Sequence, residues 1–147
     1  MKCKDIMKTD IECVSPQASV QEAARKMRDQ NIGFLPVCEA NMKVIGTVTD
    51  RDITIRAVAE GLPSSTPVDA LMTSDVVACS SDDDLESARE LMAEHQKSRI
   101  MCVSTSGRLE GIISLSDLAQ LDEGSSIDTL RHVSSREARG DADWARS

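Results

Sequence analysis

Aromatic residues are almost missing from this chain: among 147 residues there are one Phe, one Trp and no Tyr. A core must therefore be assembled from Val, Ile, Leu, Met, Ala and Cys. Recognition of single-stranded nucleic acid by base stacking, which needs aromatic platforms, has nothing to work with. A net charge of -8 argues likewise against nonspecific contact with DNA, RNA or anionic lipid. No apolar run approaches the length of a membrane span, and Met1-Lys2-Cys3-Lys4-Asp5 lacks the apolar stretch of a signal peptide. The expected setting is the cytoplasm, with no membrane and no nucleic-acid partner.

Cysteine is present but unpatterned. The five residues are odd in number and contain no Cys-x-x-Cys pair, so neither a disulfide framework nor a zinc ribbon is signalled. Cys13, Cys38, Cys79 and Cys102 fall in or beside expected strands, where reduced Cys serves as a small apolar residue. Cys3 is read as exposed, and no metal site is expected. Catalytic equipment is missing outside the repeat described below: no nucleophile–base pair, metal cluster or Walker loop is read there. Only two His occur; His95 suits the C-terminal end of a helix, and His132 has no evident catalytic partner. The chain is not expected to be an enzyme.

What it does have is an internal repeat. Gly46-Thr47-Val48-Thr49-Asp50-Arg51-Asp52-Ile53 recurs as Gly111-Ile112-Ile113-Ser114-Leu115-Ser116-Asp117-Leu118, an offset of 65 residues. The offset continues without a gap from Met7 and Met72 through Ala23 and Ala88 to Asp52 and Asp117. A long period occurring only twice indicates a tandem pair of subdomains rather than a solenoid. Each copy runs from a strand into a helix, with a hydroxyl three residues before an aspartate. Such a corner is expected to offer backbone N–H groups and a hydroxyl to a phosphate, and a carboxylate to sugar hydroxyls. The same residues also make a capping box, which one isolated copy would suffice to explain.

Each copy reads as β-α-β-β-α. A brief strand (Ile11 to Val14, or Val76 to Cys79) precedes a helix, which in the first copy opens on the capping sequence Ser19-Val20-Gln21-Glu22. Phe34 to Cys38 and Val44 to Val48 form a hairpin, echoed by Arg99 to Val103 and Leu109 to Ile113. Pro36 implies an edge position or a strand end. A last helix, Asp52 to Glu60 or Asp117 to Glu123, stops at Gly61 or Gly124. The repeats occupy residues 1–61 and 68–124, joined by a linker over 61–67. Residues 125–147 read as a tail, disordered from Arg136 onward.

The β-α-β-β-α order, the Gly-x-x-Thr/Ser-x-x-Asp motif in each copy and the Leu35-Pro36-Val37 strand resemble the cystathionine β-synthase (CBS) domain, here as a tandem pair of Bateman-module type. The resemblance spans about residues 1 to 123. It implies an α/β (α+β) fold of two repeats related by pseudo-two-fold symmetry. It also implies adenosyl ligands (AMP, ADP, ATP, NAD or S-adenosylmethionine) in clefts between the repeats. The motif aspartates would take ribose hydroxyls and the preceding Thr or Ser would take phosphate. One pocket would gather Thr49, Arg51, Asp52, backbone near Val76 and Val77, and Arg99. The other would gather Ser114, Ser116, Asp117, backbone near Ile11 and Glu12, and Phe34. Two arginines against a phenyl ring would make the first the better phosphate site. No cofactor beyond a regulatory nucleotide is implied. The expected protein is a stand-alone nucleotide sensor, homodimeric, that signals to an unidentified partner. A dimerisation module with vestigial sites, or a thiol-redox protein, are the alternative classes.

Overall fold

The computed structural model describes residues 1–121, so the expected stop at Gly124 and the tail lie outside the described residues. In chain order the elements are a 3-10 turn Cys3–Asp5, α1 Val20–Gln30, β1 Phe34–Cys38, β2 Val44–Thr49 and the short α2 Asp50–Asp52, continued by a π-helical stretch Ile53–Val58. A second 3-10 turn Val68–Ala70 is followed by β3 Ala78–Ser80, α3 Leu85–His95, β4 Arg99–Val103, β5 Leu109–Ser114 and α4 Leu115–Leu121. Mixed helix and sheet agrees with the α/β expectation. Two compact units result, and they do not coincide with the sequence repeats. One gathers Asp10–Val76 with Ser106–Leu109; the other gathers Met1–Thr9 with Val77–Thr105 and the described residues from Glu110 onward. Among the described residues no helix is long and apolar enough to cross a membrane.

In the first of these units, α1 starts because Ser19 Oγ accepts from the N–H of Glu22 at 3.1 Å. It ends at Asn31 in the left-handed conformation (φ 54). Its buried Val20, Ala23 and Met27 join Leu35, Val37, Val48, Ala57, Val68 and Leu71 in one aliphatic core. At roughly 1.5–3 kcal/mol for each large side chain buried, a core of this kind needs no aromatic residue. Strands β1 and β2 are antiparallel, with Pro36 opposite Thr47. Thr47 turns its own N–H and C=O the other way, onto Thr73, at 2.9 and 2.8 Å. Pro36 therefore sits at a ladder position that asks for no N–H, which is why a proline is tolerated within this strand.

The expected strand over Ile11 to Val14 is reduced to a single parallel bridge, Val14 with Val37. Val14 N–H meets Pro36 C=O at 3.0 Å and Cys38 N–H meets Val14 C=O at 2.9 Å. The final helix also departs from expectation. It begins at Asp50, because Thr49 and not Asp52 is its N-cap, and after one turn it widens into π geometry. Ala59 N–H reaches back five residues to Thr54 C=O at 2.9 Å. Thr54 Oγ1 takes the Asp50 carbonyl at 3.0 Å, and the β-branched run Ile53-Thr54-Ile55 crowds a regular α-turn.

The second unit repeats this plan on a more complete sheet, ordered β3-β4-β5 with β3 parallel to β4. Here the strand expected over Val76 to Cys79 lies at Ala78–Ser80. α3 ends on left-handed Gln96 (φ 55), the repeat counterpart of Asn31. α4 begins at Leu115, two residues before the expected start, because Ser114 caps it as Thr49 caps α2. Cys3, expected to be exposed, is fully buried. Its N–H donates to Asp83 C=O at 3.0 Å and Lys4 N–H donates to Ser81 C=O at 2.9 Å, drawing the segment inward. Farther along, Lys8 and Ile112 exchange backbone bonds at 2.9 and 3.0 Å, as Thr73 and Thr47 do in the first unit.

These added segments account for the motif glycines. A Cβ on Gly46 would lie 2.7 Å from Met72 Sδ and 2.8 Å from Thr73 O; on Gly111 it would lie 2.6 Å from Met7 Cγ and Sδ. Met72 and Met7 are themselves repeat counterparts, so each glycine is the slot into which a methionine packs. Gly46→Ala and Gly111→Ala should each destabilise by about 1–3 kcal/mol, the range for overpacking. Gly46→Ala should cost more, because a carbonyl oxygen yields less than a thioether. Urea unfolding of both variants gives the ranking.

Candidate functional site

Both corner motifs close into the same reciprocal hydrogen-bonded box. Thr49 Oγ1 accepts from Asp52 N–H at 3.0 Å, while Asp52 Oδ2 accepts from Thr49 N–H at 3.0 Å. Ser114 Oγ accepts from Asp117 N–H at 3.2 Å, while Asp117 Oδ2 accepts from Ser114 N–H at 3.0 Å. Locally the capping reading is thus satisfied in both copies. It leaves two chemical resources on each corner. Thr49 Oγ1 has accepted a bond and still has its proton to donate, the bonded Ser114 and Ser116 hydroxyls keep one proton between them, and Oδ1 of each aspartate is left facing a cation. Arg56 Nε lies 3.9 Å from Asp52 Oδ1 and Lys8 Nζ lies 3.4 Å from Asp117 Oδ1.

One part of the sequence-based expectation does not survive. The corner was expected to present free backbone N–H groups to an anion, but in the first unit they are taken. Asp50 N–H donates to Gly33 C=O at 3.0 Å, Arg51 N–H to Asp50 Oδ1 at 2.8 Å and Asp52 N–H to Thr49 Oγ1. At the second corner Leu115 N–H donates to Ser98 C=O at 2.9 Å and Asp117 N–H to Ser114 Oγ. An anion at the first corner must be met by side chains, hydroxyl and guanidinium groups; at the second corner these two amides are taken. Ser114 and Ser116 are suited to meeting an anion at the second, with their hydroxyl oxygens 2.8 Å apart.

The expected site residues divide between the units. Ile11, Glu12, Phe34, Thr49, Arg51, Asp52 and Val76 belong to one, and Val77, Arg99, Ser114, Ser116 and Asp117 to the other. Within the first, Phe34 is the direct cross-strand partner of Thr49. The parallel bridge at Val14 and Val37 carries the preceding Ile11 and Glu12 toward that same end of β1. Glu12 pairs with Lys26 at 3.4 Å. Within the second, Arg99 opens β4 next to Ser98, whose carbonyl holds Leu115. The register of Ala78 with Met101 brings Val77 toward the same strand end.

Sequence reasoning missed Lys8 and Arg56. Lys8 stands more than a hundred residues from Asp117, and only the return of the N-terminal segment onto β5 brings them together. Arg56 was accessible to an i,i+4 reading from Asp52, and its Nη1 also donates to Leu71 C=O at 3.2 Å.

The buried thiols are poor acids. Burial pushes Cys3 up to about 12, with the neighbouring Cys79 adding to the effect. Cys79 is raised first by its hydrogen bond with Cys102 and then by burial. Burial, followed by the charge of Cys13, raises Cys38 to about 12. None of the three is placed to act as a nucleophile at neutral pH.

The caps and the ion pairs differ in weight. Thr49→Ala and Ser114→Ala should each lower stability by about 0.5–2 kcal/mol through loss of an N-cap. Lys8→Ala removes only an exposed pair and should cost less than about 1 kcal/mol. Thermal or urea unfolding of the three variants gives the order.

A CBS domain model matches residues 3–58 and again residues 68–124. The CBS domain-containing protein YhcV of Bacillus subtilis (strain 168) is 39% identical over 133 residues, covering 89% of this chain and 94% of that protein. The crystal structure of Hypoxic Response Protein I with two coordinated zinc ions superposes with a TM-score of 0.74 at 31% identity, over 82% of this chain and 98% of the other. The CBS domain pair of protein MJ0100, in complex with 5′-methylthioadenosine and S-adenosyl-L-methionine, gives 0.73 at 25% identity, over 85% and 98%. With two family matches in tandem and the corner box built twice, this chain belongs to the CBS domain family, as a tandem CBS pair.

Proposed function

We propose that this CBS pair is a regulatory module that binds adenosyl ligands at its two motif corners, catalyses nothing on them, and signals to a partner protein in the cytoplasm. One observation carries the reading. Each corner commits Oδ2 of its aspartate to its own backbone and leaves Oδ1 and a hydroxyl proton for something else. A ribose diol donates to the one, and a phosphate or sulfonium-bearing chain lies against the other and the nearby cations. The adenosyl ligands of the MJ0100 pair support the ligand class.

At the first corner the proposed contacts are Thr49, Asp52, Arg51 and Phe34, with Ile11, Glu12 and Val76 on the flanking backbone. At the second they are Ser114, Ser116, Asp117 and Arg99, with Val77 flanking. Grouped by unit, each corner commands two cations: Arg51 and Arg56 at the first, Lys8 and Arg99 at the second. The reading therefore gives both corners comparable affinity for an anionic ligand and drops the preference for Asp52. AMP, ADP, ATP, NAD and S-adenosylmethionine are the ligands to try.

Assembly is the second part of the proposal. Ile55, Val58 and Leu62 are large, apolar and exposed along the π-helical stretch and the residues after it. A second copy of the chain would cover them, giving a homodimer. Light scattering at micromolar concentration should give twice the 15.9 kDa chain mass. Val58→Glu should shift the population to monomer, and a monomeric unaltered protein rejects the dimer.

Calorimetry tests the ligand sites. Asp52→Asn and Asp117→Asn keep an oxygen for the box and remove the charge. Each should weaken its own binding event by tenfold or more, since a charged hydrogen bond contributes about 1.5–3 kcal/mol, and spare the other. Absence of heat with AMP, ATP, NAD and S-adenosylmethionine in the unaltered protein would reject the nucleotide reading in favour of vestigial sites.

A further inference from the structure

The duplication supplies its own control for a cluster that the nucleotide reading does not use. Cys3, Cys79 and Cys102 are buried together, and their Sγ atoms all lie within 4.8 Å of one another. Cys79 Sγ is 3.7 Å from Cys3 Sγ and 3.7 Å from Cys102 Sγ. Shifting each by the repeat offset, forward for Cys3 and back for Cys79 and Cys102, gives their counterparts in the other unit, which are Val68, Val14 and Val37. Those three valines are buried together in the other core. The backbone is the same in both: Val14 and Val37 are bridged in parallel where Cys79 and Cys102 pair in parallel, and Val68 opens a 3-10 turn as Cys3 does.

Packing alone is therefore met by valine at all three places. In this unit all three are thiols instead, contributed by three separate stretches of chain that the fold brings to one point. The acid balance changes in the same direction. Asp83, whose charge acts on both Cys3 and Cys79, stands where the other copy has Ala18. Its Oδ2 accepts from Ser80 N–H at 2.9 Å, one residue after Cys79. Exposed Asp82 and Asp84 flank it, with Lys4 pairing with Asp82 at 3.1 Å.

We propose that Cys3, Cys79 and Cys102 bind a thiophilic divalent cation of the Zn²⁺ class, with a water molecule in the fourth position. A tetrahedral zinc ion with Zn–S bonds of about 2.3 Å holds its sulfurs about 3.8 Å apart, close to the spacing already present. Binding is a proton exchange without redox: one Zn²⁺ displaces one proton from each of three thiols, giving a tris-thiolate of net charge -1. A neutral water in the fourth position leaves that charge unchanged. The ion would clamp Met1–Thr9 onto β3 and β4, and with it Lys8 beside Asp117. This site goes beyond the nucleotide reading and stands or falls independently of it.

The test uses the full chain, reduced, stripped with chelator, and reloaded with Zn²⁺ or Co²⁺. It should retain one Zn²⁺ per chain after dialysis, and the Co²⁺ form should show sulfur-to-metal charge-transfer absorption. Substituting Cys3→Val, Cys79→Val and Cys102→Val together copies the other unit's core and should abolish retention. Cys13→Ser should leave retention unchanged. In the unaltered protein, Zn²⁺ should also slow alkylation of three of the five thiols at least tenfold, a measurement that needs no variant to fold. Retention below a tenth of an equivalent, undiminished retention in the triple variant, a Co²⁺ spectrum without thiolate bands, or alkylation indifferent to Zn²⁺ would each overturn the site.

Discussion

Two reciprocal pairs of backbone hydrogen bonds support much else in this protein: Thr47 with Thr73, and Lys8 with Ile112. Each pair brings the opening segment of one sequence repeat onto the second hairpin strand of the other. Because Thr47 spends both its backbone groups on Thr73, its opposite neighbour in β1 need not donate, and Pro36 fits. Because the added segment passes so close, only glycine serves at Gly46 and Gly111, and Met72 and Met7 fill the space a side chain would take. The same return of the N-terminal segment sets Lys8 beside Asp117. Backbone pairing here decides side-chain chemistry.

The corner motif shows why a structural and a functional reading need not compete. A capping box requires a hydroxyl and a carboxylate three residues apart, and it holds both in one orientation without exhausting either. Thr49 and Asp52 are fixed by each other, as are Ser114 and Asp117, so the leftover oxygen and proton point in a defined direction before a ligand arrives. Preorganisation of this sort limits the ordering cost of binding. The saturated amides of the first corner have the opposite effect on selectivity: they leave recognition of negative charge there to long side chains, which are more adaptable and more sensitive to salt.

What could be read from the sequence was whatever repeats at short range. The offset, the Ser19 cap, the hairpins and the family resemblance all follow from local patterns seen twice. Boundaries were less legible. Thr49 as N-cap was legible in the capping box, yet the helix was started at Asp52, because the apolar periodicity begins only there. The π geometry after Asp52 arises from three consecutive β-branched residues, a signal present in the string but easily passed over inside an amphipathic run. Cys3 was misplaced because a charged, terminal-looking segment gives no hint that Ser81 and Asp83 offer it carbonyls. The cysteine trio was invisible for a related reason: 76 and 23 residues separate its members, and only the strand register of Cys79 with Cys102 joins them.

The interleaved membership of the two compact units has a consequence for how the chain can be divided, by a protease or by recombination. Residues 1–9 belong with the later part of the sequence, and residues up to Val76 with the earlier part. A cut within the linker would not release two self-sufficient halves. Each fragment would carry a segment that completes the other and would lack the one that completes itself. The duplication that made this protein is thus no longer reversible by simple excision.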